Sequence, residues 1–166
     1  GGEPLVRKNI ESLISSISSL SKNIDLAMTT NGYLLNKFAN ILFVSGLKRL
    51  TISLDSLDND IFQKMSGKKF NVDEVLMGIS TAKKVGFEKI KINSVIKKGI
   101  NDEGIIDLVD YCKREGHILR FIEYMDVGTL NSWNRKSVVD SKKIIDMISK
   151  KYPIHPISKN YSSEVA

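Results

Sequence analysis

The order of the periodic segments along the chain is the feature that most limits its fold. Segments with apolar residues at helical spacing alternate with short apolar runs typical of strands, and glycines close several of the helical segments. The runs that we predict as strands are DLAMTTNG, RLTISLDSLD, KIKINSVI and ILRFIEYM. Such alternation is typical of parallel strands joined by helical crossovers. We therefore predict an α/β fold with outer helices.

The number of units indicates how much of a barrel the chain could build. Four predicted strands and an opening piece make about five βα units, whereas a complete barrel has eight units in roughly 250 residues. No shift in composition marks a linker, so we expect a single domain over residues 1–166. The architecture is then a partial barrel or an open sheet.

Composition and charge favour some classes of protein over others. The net charge is +6, but the lysines are scattered along the helical segments, which argues against a nucleic-acid partner. No apolar run approaches the roughly 18 residues of a membrane span, so we expect no membrane partner. The single cysteine, Cys112, lies in an apolar periodic stretch. It predicts neither a disulfide nor a cysteine metal site, and it favours a reducing compartment.

Polar residues lie near the ends of the predicted strands. A strand that is buried on both faces would have apolar residues at these positions. Residues two apart on a strand share a face. The polar or soft pairs at this spacing are Thr29 with Asn31, Ser53 with Asp55, Lys91 with Asn93, and Glu123 with Met125. A buried polar group without a partner costs about 1–3 kcal/mol. Because α/β enzymes keep their sites at the carboxyl ends of parallel strands, we predict a ligand site there.

Each of these residues also has a purely structural interpretation. Asn31 and Asp58 could cap a helix or shape a turn, and Asn71 or Asp73 could start the following helix. Lys91 lies between two isoleucines, so its ammonium either faces a ligand or finds an ion-pair partner at the surface. Met125 follows an apolar run, which is typical of core filling.

An ordered set of motifs points to a particular family. Read together, GGEPLVRK, TTNG, ISLDSLD, KIKINSV, RFIEYMDVG and NSWN resemble the GTP 3',8-cyclase family of radical S-adenosylmethionine enzymes. This family belongs to molybdenum cofactor biosynthesis. The resemblance runs in order over nearly the whole chain, up to NYSSEVA. It implies an incomplete TIM-type (βα)6 radical SAM barrel of parallel strands with outer helices, in which the first βα unit is missing.

The resemblance also implies binding roles for five residues. Gly2, Ser53 and Met125 match positions that contact S-adenosylmethionine, and Thr29 and Lys91 match positions that contact GTP. Gly2 would let the ligand approach the backbone at the end of a barrel strand, so the chain would begin inside that strand. We expect these residues to converge at one rim of the sheet. No catalytic side chain and no metal ligand is predicted.

Three further residues receive less support from the same resemblance. We expect Glu3 and Asn93 to be additional contacts of the ligands. Arg120 could contact a phosphate, but its alternation along the strand sets it opposite Glu123 and Met125. We therefore leave Arg120 outside the predicted site.

The chain departs from the family pattern in its cysteines. The resemblance implies S-adenosylmethionine and two [4Fe-4S] clusters as cofactors in a full-length protein, whereas the Cys-x-x-x-Cys-x-x-Cys loop and a second cysteine group are not present in this sequence. Cys112 substitutes for neither. We therefore expect a fragment that is inactive alone.

The activity implied by the resemblance is that of a lyase. A 5'-deoxyadenosyl radical abstracts the ribose 3'-hydrogen of GTP, and the product is 3',8-cyclo-7,8-dihydro-GTP. The implied partners are the GTP substrate, a second subunit in a homodimer, and the downstream cyclic pyranopterin monophosphate synthase. The implied location is the cytoplasm, or an organelle in a eukaryote.

Three alternatives stay open at this point. The first is another radical S-adenosylmethionine enzyme on the same partial barrel, since several of the motifs are shared widely. The second is an aldolase that forms a Schiff base at Lys91, although this leaves the glycine pair unexplained. The third is a nucleotide-binding or phosphate-binding module without catalysis, which the missing cysteines and the positive charge favour.

Overall fold

The computed structural model describes residues 2–126 and 133–157. These residues form parallel strands that alternate with helices, as predicted. The elements in chain order are α1 (Ile10–Leu20), β1 (Ala27–Thr30), α2 (Leu35–Val44), β2 (Arg49–Ser53), α3 (Asn59–Ser66), α4 (Val72–Val85), β3 (Ile90–Ile96), α5 (Ile105–Glu115), β4 (Ile118–Glu123) and α6 (Ser141–Ser149). None of the described helices is long and apolar enough to cross a membrane.

The strands form one parallel sheet in the order β1, β2, β3, β4. Neighbours in sequence are therefore neighbours in the sheet, which is the order of a barrel wall. The predicted α/β class and the parallel arrangement are confirmed, with all four strand segments in the described residues.

Within residues 2–126 and 133–157, the helices cover one face of the sheet. Leu50, Ile52, Ile90 and Ile92 point to this face and are at most 1% exposed. They share a core with residues of α2 and α4, among them Leu35 and the further core residues Leu42, Val75 and Ile79. Burial of this apolar surface is the main stabilising contribution to a fold of this size.

The close approach of α2 and α4 depends on Gly78. A Cβ atom at this position would lie 2.9 Å from the carbonyl oxygen of Gly32 and 3.0 Å from the Cβ atom of Leu35. Both distances are shorter than an unstrained carbon contact. The two helices can pack this closely only because Gly78 has no side chain.

Local side-chain caps start the helices near the sheet edge. The Asp58 side chain accepts a hydrogen bond from the Ile61 backbone nitrogen at 2.9 Å and caps α3. Asn71 caps α4 in a capping box with Glu74, so Asn71 rather than Asp73 begins this helix. The Asn31 side chain accepts a hydrogen bond from the Tyr33 nitrogen and shapes the turn after β1. These structural roles were among those predicted.

Two features of the fold differ from the sequence-based expectations. Gly2 and Glu3 are irregular and Pro4–Val6 form a 3₁₀ helix, so the strand expected at the opening glycines is not present in the described residues, which exclude residue 1. Glu3 caps this 3₁₀ helix and Pro4 occupies its first position, which turns the chain here. Helix α3 was not predicted, because it is only eight residues long and Phe62 is its only buried residue.

Candidate active site

The face of the sheet that the helices leave open is polar along its middle and carboxyl part. In the strand register, Thr29 pairs with Thr51 and Thr51 pairs with Lys91, while Ser53 pairs with Asn93. Residues in register on parallel strands point to the same side. We call the following residues the polar face: Thr29, Thr51, Ser53, Lys91, Asn93 and Arg120.

A cavity of about 540 Å³ opens at the β1 and β2 end of the polar face. Gly2, Thr29 and Ser53 all line it, together with Glu3 and Lys68. We call this the amino-terminal cavity. Its volume lies in the range of ligand-binding pockets, about 300–1,000 Å³. Three of the five predicted site residues therefore meet in one cavity.

Glu3 ties the amino-terminal segment to the end of β1. One carboxylate oxygen accepts hydrogen bonds from the Thr30 hydroxyl and the Leu5 nitrogen, and the other accepts one from the Asn31 nitrogen at 2.7 Å. These bonds hold Gly2 beside the polar face. Glu3 was predicted as a possible ligand contact, and its observed contacts are within the protein.

Gly2 itself is not required by the protein's own packing. A Cβ atom at this position would meet nothing within 4 Å. Its φ is not among the positive values found at other glycines. Open space beside an unhindered backbone is what the close approach of a ligand needs.

Asp55 and Asn101 fix the carboxyl ends of β2 and β3. The Asp55 carboxylate accepts a hydrogen bond from the Val95 nitrogen, and the Asn101 amide donates to the carbonyl oxygens of both Asp55 and Val95, each at 2.8 Å. Asn101 also accepts a bond from the Lys97 nitrogen. Burial raises the pKa of Asp55, while the hydrogen bond from Val95 opposes that shift. The network keeps Ser53 and Asn93 in register.

Lys91 lies half-buried on the polar face, one strand away from the cavity lining. No carboxylate within the described residues forms an ion pair with its ammonium. The side-chain oxygen of Asn93 is buried and has no hydrogen-bond partner in the described part of the chain. A cation and an unsatisfied acceptor on one surface are features that a polar ligand could satisfy.

Met125 lies apart from the other predicted residues. It is 55% exposed and lines a second cavity of about 570 Å³ with Glu123, Trp133 and Arg135. Of the five residues expected to converge at one rim of the sheet, Gly2, Thr29 and Ser53 line the amino-terminal cavity, Lys91 lies one strand away on the polar face, and Met125 lines the second cavity. Part of the motif RFIEYMDVG, from residue 127 onward, and part of NSWN lie outside the described residues, as does NYSSEVA.

The two faces of β4 are the reverse of the prediction. Glu123 pairs with the fully buried Ile96 on the helical side, where its carboxylate accepts a hydrogen bond from the Ser141 nitrogen at 2.7 Å. Arg120 pairs with Asn93 and so belongs to the polar face. Alternation separates Arg120 from Glu123 correctly, but only the register with β3 decides which of them faces the site.

Metal-binding groups are absent from the described residues. No group of three or more His, Cys, Asp or Glu side chains there could hold a metal ion. Cys112 is buried on α5, and burial raises the pKa of its thiol to about 12. The described part of the chain therefore offers no set of ligands that would fit an iron–sulfur cluster.

Comparison with known families defines the class of this protein. Residues 1–112 match the family model for the radical SAM superfamily. This chain belongs to the radical SAM superfamily. Membership implies the use of S-adenosylmethionine and an iron–sulfur cluster, and it confirms the class that the motifs indicated.

Three similar proteins of known sequence share one name. The chain is 43% identical over all 166 residues to a GTP 3',8-cyclase of Xanthomonas campestris and covers 49% of it. It is 43% identical over the same length to a GTP 3',8-cyclase of Acidothermus cellulolyticus and covers 46% of it. A third GTP 3',8-cyclase, from Staphylococcus haemolyticus, is 42% identical. The chain spans about half the length of these relatives.

Solved structures support the fold. A radical SAM methyltransferase from Sphaerobacter thermophilus aligns with a TM-score of 0.67 and 14% identity, over 90% of this chain and 45% of that one. Coproporphyrinogen III oxidase from Escherichia coli aligns with a TM-score of 0.62 and 13% identity, over 90% of this chain and 37% of that one. The incomplete barrel is therefore the radical SAM fold.

Proposed function

We propose that this chain is the central barrel part of a GTP 3',8-cyclase, which converts GTP to 3',8-cyclo-7,8-dihydro-GTP in molybdenum cofactor biosynthesis. The observation that carries the proposal is the identity of 43% with named GTP 3',8-cyclases over all 166 residues. The polar face supports it, because it supplies hydrogen-bonding groups and cations where the other side of the sheet is apolar.

In this proposal S-adenosylmethionine occupies the amino-terminal cavity. Gly2 offers backbone without a side chain, and Ser53 offers a hydroxyl for a hydrogen bond. Met125 lines the second cavity rather than this one, and the proposal keeps it as a contact of the adenosine part. The cofactor supplies a 5'-deoxyadenosyl radical when it is reductively cleaved, and the protein supplies its orientation and enclosure.

GTP occupies the polar face next to this cavity. Thr29 offers a hydroxyl, and the ammonium of Lys91 offers a positive charge to the triphosphate. Asn93 lies between Ser53 and Arg120 in the register and has an unsatisfied side-chain oxygen for a ligand donor. The work of these residues is to bind and orient, because proximity of the reacting groups supplies much of the rate enhancement in such enzymes.

The iron–sulfur ligands come from parts of the enzyme other than these 166 residues, which contain one cysteine. Two clusters, a homodimer, a downstream cyclic pyranopterin monophosphate synthase and a location in the cytoplasm, or in an organelle of a eukaryote, complete the proposal. Residues 1–166 act in it as one structural unit.

The proposal is tested with the full-length protein, anaerobically reconstituted and supplied with S-adenosylmethionine, GTP and a reductant. We expect 5'-deoxyadenosine and 3',8-cyclo-7,8-dihydro-GTP in equal amounts by mass spectrometry. Cleavage of S-adenosylmethionine without a GTP product would instead support another radical SAM activity. Binding of GTP without any cleavage would support a binding module.

A further inference from the structure

The loop between α3 and α4 brings a lysine to the amino-terminal cavity that neither the motifs nor the proposed site includes. Lys68 lines this cavity together with Gly2, Thr29 and Ser53. It is the one basic side chain among the described residues of the lining. Lys68 and Lys69 are both exposed, but Lys69 is not part of the lining.

The charge of Lys68 is not neutralised within the described residues. None of the carboxylates there forms an ion pair with its ammonium. The acidic residue of the lining is Glu3, and its two carboxylate oxygens accept hydrogen bonds from Leu5, Thr30 and Asn31. The formal charges of Lys68 and Glu3 cancel, but the oxygens of Glu3 are bonded within the protein, so the Lys68 ammonium is the ionic group of the lining left to meet a ligand.

The loop that carries Lys68 is held in place by its neighbours. Gly67 ends α3 in the left-handed region with φ +64°, and the Lys68 nitrogen donates a hydrogen bond to the Ser66 hydroxyl at 3.2 Å. The Gln63 amide donates to the carbonyl oxygens of Lys69 and Phe70. The backbone of Lys68 is thus fixed on both sides.

An aromatic contact joins this loop to the turn after β1. The Phe70 ring lies 4.5 Å from the Tyr33 ring and 5.6 Å from the Phe62 ring, measured between centroids. Tyr33 also lines the amino-terminal cavity. These ring contacts hold the Lys68 loop near the end of β1.

We propose that Lys68 binds an anionic oxygen of the ligand in the amino-terminal cavity. This inference rests on the proposed function, in which two sources of such an oxygen exist: the carboxylate of S-adenosylmethionine and the triphosphate of GTP. An ammonium on a long stem is suited to either, because it binds as a point charge and needs no fixed fork geometry.

The test measures the affinity of the full-length, anaerobically reconstituted enzyme for S-adenosylmethionine and for GTP separately. We expect Lys68→Ala to weaken one of these ligands about tenfold, which corresponds to ~1.4 kcal/mol. Lys68→Arg should restore much of the affinity, and the matched control Lys69→Ala should bind both ligands as the unmodified enzyme does. The ligand that is weakened identifies the source of the anion.

Probes without the anion sharpen this experiment. Decarboxylated S-adenosylmethionine and guanosine should bind to Lys68→Ala and to the unmodified enzyme equally well. Unchanged affinity for both ligands in Lys68→Ala, or an equal loss in Lys69→Ala, would overturn the role of Lys68 and leave the proposed function intact. An unmodified enzyme that binds neither S-adenosylmethionine nor GTP would instead overturn the proposed function and this inference with it.

Discussion

The carboxylate of Asp55 accepts a hydrogen bond from the backbone nitrogen of Val95 at 2.8 Å, just beyond the end of β2. Strand β2 ends at Ser53, so the Val95 nitrogen on β3 has no strand partner on that side. The side chain of Asp55 takes the place of the missing strand. This contact continues the hydrogen bonding of the sheet past the carboxyl end of β2, next to the polar face.

Removing the Asp55 carboxylate should destabilise the protein. Asp55→Ala leaves the Val95 nitrogen without its acceptor, and a buried unsatisfied donor costs about 1–3 kcal/mol. We expect the free energy of unfolding from urea titration to fall by this amount. The control is Asp73→Ala, which changes an exposed aspartate in the first turn of α4 and should cost less. Equal losses in both variants would contradict the role of Asp55.

The same residue should make stability depend on pH. Burial raises the pKa of Asp55 above its ordinary value of 3.8, so the folded state keeps this proton to higher pH than the unfolded state. Protonated Asp55 therefore stabilises the folded state. This contribution is complete below pH 3.8 and is lost as the pH rises through the raised pKa. Asp55→Asn cannot ionise, so its stability relative to the unmodified protein should improve as pH rises toward neutral. A difference that stays constant with pH would show that Asp55 does not titrate in this range.

Close packing of α2 and α4 gives a further prediction. Gly78→Ala forces a methyl group to within 2.9 Å of the Gly32 carbonyl oxygen, and overpacking of this kind costs about 1–3 kcal/mol. Gly104→Ala is the matched control, because its φ is −84° and a Cβ atom there meets nothing within 4 Å. Thermal unfolding should show a lower Tm for Gly78→Ala and little change for Gly104→Ala. A Gly78→Ala protein as stable as the control would mean that the helices can separate freely.

Glu3 should matter for ligand affinity even though its own contacts are internal. Glu3→Ala releases the amino-terminal segment from β1, so Gly2 is no longer held beside Ser53. We expect the affinity of the full-length enzyme for S-adenosylmethionine to fall about tenfold. The control Glu88→Ala removes an exposed carboxylate elsewhere and should leave that affinity unchanged. If Glu3→Ala binds S-adenosylmethionine with unchanged affinity, the position of Gly2 does not matter for binding this ligand.

Cys112 should be unreactive while the protein is folded. Burial raises the pKa of its thiol to about 12, and the thiolate is the nucleophile in alkylation. At mildly alkaline pH we expect iodoacetamide to label Cys112 slowly in native protein and rapidly in urea, as measured by peptide mass spectrometry. Fast labelling without denaturant would show that α5 opens readily from β4.

Much of the fold could be predicted from the sequence because it depends on local patterns. The parallel strands follow from apolar runs, and the start of α4 at Asn71 follows from a side-chain cap. Helix α3 escaped prediction because it has eight residues and buries only Phe62. A periodic apolar pattern over so short a segment does not distinguish a helix from a loop.

The candidate site could be predicted only in part, because residues from different elements build it. Alternation along one strand identified Thr29 and Ser53, and both line the amino-terminal cavity. The position of Arg120 on the polar face depends on the register between β3 and β4, which no single strand encodes. The position of Lys68 in the lining of the amino-terminal cavity depends on how the loop after α3 packs against Tyr33 through Phe70.

The most direct test of the polar face as the ligand surface is a crystal structure of the full-length enzyme with S-adenosylmethionine and GTP bound. We predict S-adenosylmethionine in contact with Gly2 and Ser53, and GTP in contact with Thr29 and Lys91. Ligands bound on the helical side of the sheet, or a polar face that neither ligand touches, would contradict this prediction.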